Sequence, residues 1–483
     1  MAYGQDRPSV AYGVVAVALT AVLVYFGTGL FPRWPLMWFA PLPVLLFAAR
    51  SSRRWAAAAA FLAWFLGGLN LFHYFNSLLR MPIGVQLMIY GGPALLFMLA
   101  VLLFRALVRR QAWWTAIVAF PAVWVALEYL SSLTSPHGTA GNISYSQLNF
   151  LPLLQLASVT GPWGVSFVLM LLSSTIAVAV ELQRASGRKA LQFLGGGCAV
   201  VALTLLFGAI RLSGSTPGPR VKVGLVASDL RENADVAGEG AEADRLFQAY
   251  EAPVQELAAR GAQVVVLPEK LAVVVDSERE KTDTFFQSLA DRTSVMIVLG
   301  MVYVSPPVKY NRARVYTPHE PFQSYDKHHM LPPFESPLKP GTTMLFIPKS
   351  SATWGVEICK DMDFTALSRE YGRAGAGLML VPAWDFIADR FLHGHMAVMR
   401  GVEDGFSIVR AAKQGYLTVS DDRGRILAEV RSDAAPFATL LADVPAQHEP
   451  TIYARLGDWF AWLACALTVV SVAKLFRKSP VAS

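Results

Sequence analysis

Apolar stretches follow one another through the first 212 or so residues, at roughly 10–30, 35–49, 55–76, 84–107, 112–131, 162–182 and 190–211. An eighth lies at about 456–475. Most approach the about 20 residues that a helix needs to cross a bilayer. The second is short and holds Pro35, Pro41 and Pro43, which predicts a kinked or partly interfacial segment. The first is followed by no small-residue cleavage site before "FPRWP", so it reads as an uncleaved helix rather than a signal peptide.

Between the seventh and eighth stretches, about 213–455, the period changes. "VKVGLVA" (221–227), "AQVVVLP" (262–268), "VMIVLGMVYV" (295–304), "WGVEIC" (354–359), "GLMLVPA" (377–383) and "FSIVRAA" (406–412) have the length and composition of buried strands. Leu246, Tyr250, Val254 and Leu257 recur at helical spacing, and Pro253 predicts a kink or restart there. "SDDRGRI" (420–426) has the composition of a hairpin turn centred on Arg423-Gly424. Strands alternating with amphipathic helices predict an α/β domain.

Composition agrees with both halves. Of 483 residues, 54% are hydrophobic and only 16% charged, well below the about 25% usual for a soluble domain. The net charge of +7 does not argue for nucleic acid, because no aromatic-basic stripe or reading motif accompanies it. Instead the cations cluster in loops: Arg50, Arg53 and Arg54; Arg105, Arg109 and Arg110; Arg184, Arg188 and Lys189; Lys474, Arg477 and Lys478. These follow the second, fourth, sixth and eighth stretches, while the alternate loop 131–161 has no Lys or Arg. Such alternation predicts that both termini are cytoplasmic and that the polar region lies outside, in the periplasm of a Gram-negative cell. Glu128 falls inside an apolar stretch, which makes it a functional candidate; a place near the outer end of its helix would instead let it reach interfacial water.

Of three cysteines, Cys198 and Cys465 sit in apolar runs, and Cys359 stands alone in the polar region. It has no obvious disulfide partner. The pairs His328-His329 and His393-x-His395 lack acidic or thiol company at ligand spacing, so neither a metal nor another cofactor is expected. Three motifs stand at strand ends: "VVVLPEK" with Glu269, "YDKHHMLPPFE" with Lys327 and Glu335, and "GVEICKDMDF" with Cys359. A strand end places a side chain at the rim of a sheet. A carboxylate, an amine and a thiol gathered there would make a nucleophile with its base and a cationic stabiliser. Taken singly, each reads more simply as a solvated loop residue or a small buried hydrophobe.

The ordered motifs "LPEK", "YDKHHMLPPFE" and "EICKDMD" resemble the nitrilase, or carbon–nitrogen hydrolase, superfamily. The flanking apolar segments resemble its apolipoprotein N-acyltransferase branch, as do "FAPLPVLLFA", "AVWVALEYL", "YSQLNFLPLLQLASVTGPWGVSF", "YNRARV" and "HMAVMRGVEDG". The resemblance implies an α-helical membrane bundle of about eight spans, seven plus one, with an α-β-β-α sandwich before the last helix. The domains implied are 1–218 (bundle), 219–450 (periplasmic nitrilase-like domain) and 451–483 (last helix and tail), in the inner membrane. It implies a Glu269-Lys327-Cys359 triad of base, oxyanion-stabilising cation and nucleophile, with Glu335 as an additional acid. The backbone N–H of Lys360 is a candidate second oxyanion donor, and Trp384 and Phe386 are candidate substrate contacts. The activity implied moves an acyl chain from a phospholipid, through a Cys359 thioester, to the N-terminal amine of a lipoprotein. A membrane-tethered amidase, or an acyltransferase with another amine acceptor, is the alternative. The chain departs from the branch at four places. Lys360-Asp361 stands where an aromatic residue and an acid are usual. "AAKQGY" (411–416) replaces an Asn-Thr-rich turn, "VPAWDF" (381–386) lacks the usual Ser-Asn start, and "SDLRENADVAGEG" (228–240) lacks a tryptophan.

Overall fold

Ser9 and Ser52 show how the apolar segments become helices. Their hydroxyls accept from the N–H groups of Tyr12 and Trp55 and so cap Val10–Gly27 and Arg53–Gly68. The computed structural model describes residues 8–183, 185–214, 218–230, 232–349 and 353–476; Arg184, Arg477 and Lys478 of the basic clusters lie outside them. Two units are present, Met1–Thr134 with Gly141–Arg211 and Asp458–Ser483, and Ser135–Ala140 with Leu212–Gly457.

In the first unit, six helices among the described residues are long and apolar enough to cross a membrane: Val10–Gly27, Ile83–Arg109, Trp113–Thr134, Pro162–Gln183, Gly187–Ser213 and Trp459–Phe476. The other two expected spans are broken. The proline-rich one divides into Trp34–Met37 and Leu42–Arg50. The 55–76 stretch runs as Arg53–Gly68, then a 3₁₀ turn Leu69–Leu71 and a π turn Tyr74–Leu78. At that break the Asn70 amide donates to the carbonyl of Tyr25 and the hydroxyl of Thr28 at the end of the first helix. Arg105 donates to the carbonyl of Ser51, Arg109 to that of Arg50 and Arg110 to that of Lys474, so three basic clusters share one end of this unit. Glu128 accepts from the Ile143 N–H and the Asn142 amide at 2.9 and 3.0 Å, and thereby pins the loop after its helix.

In the second unit the strands are β1 (Arg220–Ala227), β2 (Val264–Val266), β3 (Val273–Val275), β4 (Met296–Ser305), β5 (Val308–Tyr316), β6 (Gln323–Asp326), β7 (Phe346–Pro348), β8 (Thr353–Val356), β9 (Ala376–Trp384), β10 (Ser407–Lys413), β11 (Tyr416–Ser420), β12 (Ile426–Arg431) and β13 (Ala438–Pro445). They form two sheets, ordered β13-β1-β2-β4-β5-β6, with β3 on β4, and β12-β11-β10-β9-β8-β7. The centres of both are parallel, β1-β2-β4 and β8-β9-β10, and the edges antiparallel. Val223, Leu225, Val264 and Val298 meet Val356, Leu378, Leu380 and Val409 in one core between the sheets. Helices Ala241–Ala259 and Arg279–Thr293 cover the outside of the first sheet, and Thr365–Arg373 and Arg390–Asp404 that of the second. All six expected strands are present, and Asp421–Arg425 turns β11 into β12 with Gly424 at φ +75°. Pro253 does not restart its helix, which runs unbroken from Ala241 to Ala259. Burial of Leu246, Tyr250, Val254 and Leu257 outweighs the single backbone bond that the proline removes.

Candidate active site

Parallel strands end in a common direction, so their C-terminal ends form a rim where side chains converge. Glu269 follows β2, Cys359 follows β8, Trp384 closes β9 and Lys413 closes β10; Lys327 follows β6. The Glu269 N–H donates to the Ala383 carbonyl at 3.2 Å, which ties the end of the first sheet to the second. Gly300 on β4 lets Pro268 and Glu269 lie close over the first sheet: a Cβ there would lie 2.3 Å from the Pro268 oxygen.

The structure brings Glu269, Lys327 and Glu335 into direct contact. The Lys327 ammonium lies 2.8 Å from Glu269 Oε1 and 2.8 Å from Glu335 Oε2, and all three side chains are buried. Burial alone would lower the Lys327 ammonium, but the two carboxylates hold it well above its ordinary value. Burial likewise pushes Glu335 up, and Lys327 and Lys270 more than reverse this, bringing it to about 2.

Cys359 opens the 3₁₀ turn Cys359–Asp363 in the left-handed region, at φ +46°, a conformation that costs a residue with a Cβ about 1–3 kcal/mol. Its half-buried thiol donates to the Trp384 carbonyl at 3.4 Å. Burial and the Glu269 charge raise the thiol well above its ordinary value; Lys327 and Arg410 oppose them without winning. The resting group is therefore a thiol, and its attack needs a base.

Other residues of the site carried weaker signals in the sequence. The Asn311 amide donates to Glu269 Oε1 at 2.5 Å and Glu335 Oε1 at 2.8 Å, bridging the carboxylates; a polar residue amid the buried positions of β5 marks it. Lys270 pairs with Glu335 at 2.5 Å. Asp361, fully buried, accepts from the Tyr325 hydroxyl and the N–H groups of His328, His329 and Ile358, so it clamps the Lys327 loop onto the nucleophile turn. The Lys360 side chain turns to His137 Nδ1, 2.9 Å away. The Trp384 ring carries the Lys413 amine 3.7 Å from its centre and Lys270 at 5.2 Å, and Phe386 packs near Phe334. Burial, then the Lys270 charge, pushes the Lys413 ammonium down to about 7. His329 stacks on Phe364, His393 lies 3.3 Å from Asp389, and His395 Nδ1 lies 2.9 Å from the Phe391 carbonyl.

Sequence comparison adds to this geometry. The family model described as apolipoprotein N-acyltransferase N-terminal domain matches residues 20–175, and that described as carbon–nitrogen hydrolase matches residues 236–454. The apolipoprotein N-acyltransferase of Geobacter metallireducens is 25% identical over 92% of this chain and 92% of its own, and that of Haemophilus ducreyi is 24% identical over 90% and 91%. Among solved structures, an amidase from Nesterenkonia sp. is 17% identical, covers 52% of this chain and 98% of its own, and has a TM-score of 0.42. A multi-pass bacterial membrane protein whose α/β domain belongs to the nitrilase class of acyl-transferring enzymes is the class that these findings define. Within that class, the chain belongs to the apolipoprotein N-acyltransferase branch.

Proposed function

We propose that this chain N-acylates lipoproteins, taking the acyl chain from a phospholipid onto Cys359 and passing it to the α-amine of a diacylglyceryl-cysteine. Glu269 takes the thiol proton, and Cys359 attacks the ester carbonyl. The Lys327 ammonium and the Lys360 backbone N–H stabilise the oxyanion. Glu269 then returns the proton to the departing lysophospholipid alkoxide, leaving a thioester. The amine attacks this thioester, the amide forms and the thiol is restored. Glu335 holds Lys327 together with Glu269, and Trp384 and Phe386 line the path of the substrate. No cofactor or metal enters these steps.

The single observation that carries the reading is the buried Lys327–Glu269 pair, whose charges both act on the thiol of Cys359. The apolar helices fit lipid substrates. We place the bundle at 1–218, the catalytic domain at 219–450 and the last helix with its tail at 451–483, counting the two broken segments among eight spans. Three basic clusters at one end of the helical unit support cytoplasmic termini and a periplasmic catalytic domain in the inner membrane. Purified enzyme given phospholipid alone is expected to gain one fatty-acyl mass on the peptide containing Cys359, and a diacylglyceryl-cysteine peptide is expected to clear it. Turnover of a soluble amide with Cys359 unmodified by phospholipid would replace this reading with a tethered amidase.

A further inference from the structure

The two halves of the proposed reaction differ in their protons. In acylation, the thiol proton passes through Glu269 to the leaving alkoxide, and none is left over. In aminolysis the acceptor arrives largely as an α-ammonium, whose ordinary pKa is about 7.7–8.0. Of its three protons the amide keeps one and the restored thiol takes one through Glu269. The third must leave the site by another route.

Next to the nucleophile stands a pair with the chemistry for this. Lys360 is buried, with its Nζ 2.9 Å from Nδ1 of half-buried His137. The segment 135–140 is fixed against the nucleophile turn, since the N–H and hydroxyl of Thr139 both donate to the Asp363 carbonyl, at 3.0 and 2.8 Å. Gly138 adopts φ +52°, and a Cβ there would lie 2.4 Å from that same oxygen, so the approach requires glycine. Burial lowers the Lys360 ammonium, with Lys327 acting in the same direction; Asp363 at 3.9 Å, Cys359 and Glu335 oppose it. Burial and then Lys360 lower His137, helped by His393 and opposed by Asp363. A neutral imidazole thus presents its Nδ1 lone pair to the lysine.

Resting on the acyltransferase reading, we propose that Lys360 accepts the surplus proton of the acceptor ammonium while passing one of its own to His137 Nδ1. The imidazole then releases its Nε2 proton to water. Lys360 touches the acceptor; His137 acts through it. Between nitrogens each transfer breaks one N–H bond and forms another, and release to water forms an O–H bond. The imidazole is left with its proton on Nδ1, and exchange with water, which protonates Nε2 as Nδ1 loses its proton, restores the starting tautomer. Here the lysine directly after Cys359, where the branch carries an aromatic residue, gains a function.

The test separates the half-reactions in the full-length enzyme. Adduct formation on Cys359 is timed with phospholipid alone, and aminolysis with a diacylglyceryl-cysteine peptide added to the preformed adduct. His137→Gln preserves an acceptor for the lysine but takes no proton; Lys360→Arg keeps the charge and the hydrogen bond but does not titrate. Without the relay only amine that is already neutral reacts, about one-seventh at pH 7 for a pKa of about 7.8. The ratio of aminolysis to adduct formation is therefore expected to fall about sevenfold at pH 7 in both variants and to recover by pH 9, where the amine is about nine-tenths neutral. A deficit that persists unchanged at pH 9, an equal loss in both half-reactions, or a wild-type ratio in His137→Gln at pH 7 would each overturn the relay. Failure of the wild type to form any adduct would overturn the acyltransferase reading and the relay with it.

Discussion

Replacing Glu335 by glutamine tests what holds the Lys327 loop. Its carboxylate accepts from Lys327 at 2.8 Å, Lys270 at 2.5 Å, Asn311 at 2.8 Å and the Leu331 N–H at 2.9 Å. The side chain is 1% exposed, so solvent screens these contacts little. Its carboxyl stands at about 2 against an ordinary 4.5. At 1.36 kcal/mol per pKa unit this difference is worth about 3 kcal/mol. Because the folded-state value is depressed, that stability is fully present above pH 4.5 and is lost as the pH falls toward 2. Glutamine keeps the shape and abolishes the charge. The assay is hydrogen exchange of the 328–341 amides in the full-length protein, with the Leu331 N–H as the direct reporter. At pH 7 the variant is expected to lose about 100-fold protection there, the equivalent of about 3 kcal/mol of local opening. The wild type is expected to show the same loss on acidification from pH 4.5 to 2, after correction for intrinsic rates. Wild-type protection of Leu331 in Glu335→Gln at pH 7 would refute the charge network as the cause of loop order.

Three further outcomes are open to measurement. Cys359→Gly is expected to abolish the acyl adduct while melting at or above the wild-type temperature, because glycine occupies φ +46° without strain; a lower melting temperature would contradict the strained turn. Reporter fusions at residue 340 and at the C-terminus are expected to report outside and inside, and a cytoplasmic signal at 340 would overturn the proposed topology. Lys413→Met is expected to melt above wild type at pH 7. Burial depresses the lysine to about 7 from 10.5, so wild-type stability rises as the pH climbs between those values and the two proteins converge near 10.5. A variant that melts lower at pH 7 would show that the amine stabilises Trp384 more than its burial costs.

The strands were legible because a strand buried on both faces is a short run of Val, Ile and Leu, as "VVVL" and "GLMLV" are, and such runs need no partner to be recognised. Two of the three chemical motifs, those of Glu269 and Cys359, were legible for a related reason: each follows such a run, and a residue just past a strand is placed by the strand, whereas Lys327 follows the polar strand Gln323–Asp326. What could not be read is pairing at a distance. Nothing near Asn311 announces that one amide bridges carboxylates 42 and 24 positions away. Lys360 read as a charge beside the nucleophile, because His137 lies 223 residues earlier in sequence. Lys413 looked like part of a divergent turn, and its place comes from contacts remote in sequence, the Trp384 ring and the carbonyls of Asp235 and Lys270. Pro253 failed as a breaker because propensity is local, whereas the apolar face beneath it is buried along its whole length. The reverse held at Asn70, where a helix that hydropathy alone would have continued gives way to a 3₁₀ turn, with the Asn70 amide on the carbonyl of Tyr25.

The resting charge of Cys359 leads to a prediction with opposed signs. Burial raises the thiol, and the Glu269 carboxylate raises it further, while Lys327 lowers it. Glu269 thus suppresses the thiolate by its field and generates it by taking the proton. Glu269→Gln removes both effects, and leaves Lys327 with Glu335 as its remaining carboxylate partner at 2.8 Å. Turnover is expected to collapse, by the about 10²–10⁴-fold typical of a lost general base, because no group then returns a proton to the leaving alkoxide. Alkylation by a small neutral electrophile such as iodoacetamide requires only thiolate and donates to no leaving alkoxide. Its rate at Cys359 is expected to rise at pH 8, because one negative charge beside the sulfur has gone and the cation remains. Cys198 and Cys465, changed to serine beforehand, leave Cys359 as the one thiol to be read. If alkylation instead falls in step with turnover, the carboxylate activates the thiol at rest rather than during attack, and the account of a protonated resting nucleophile fails.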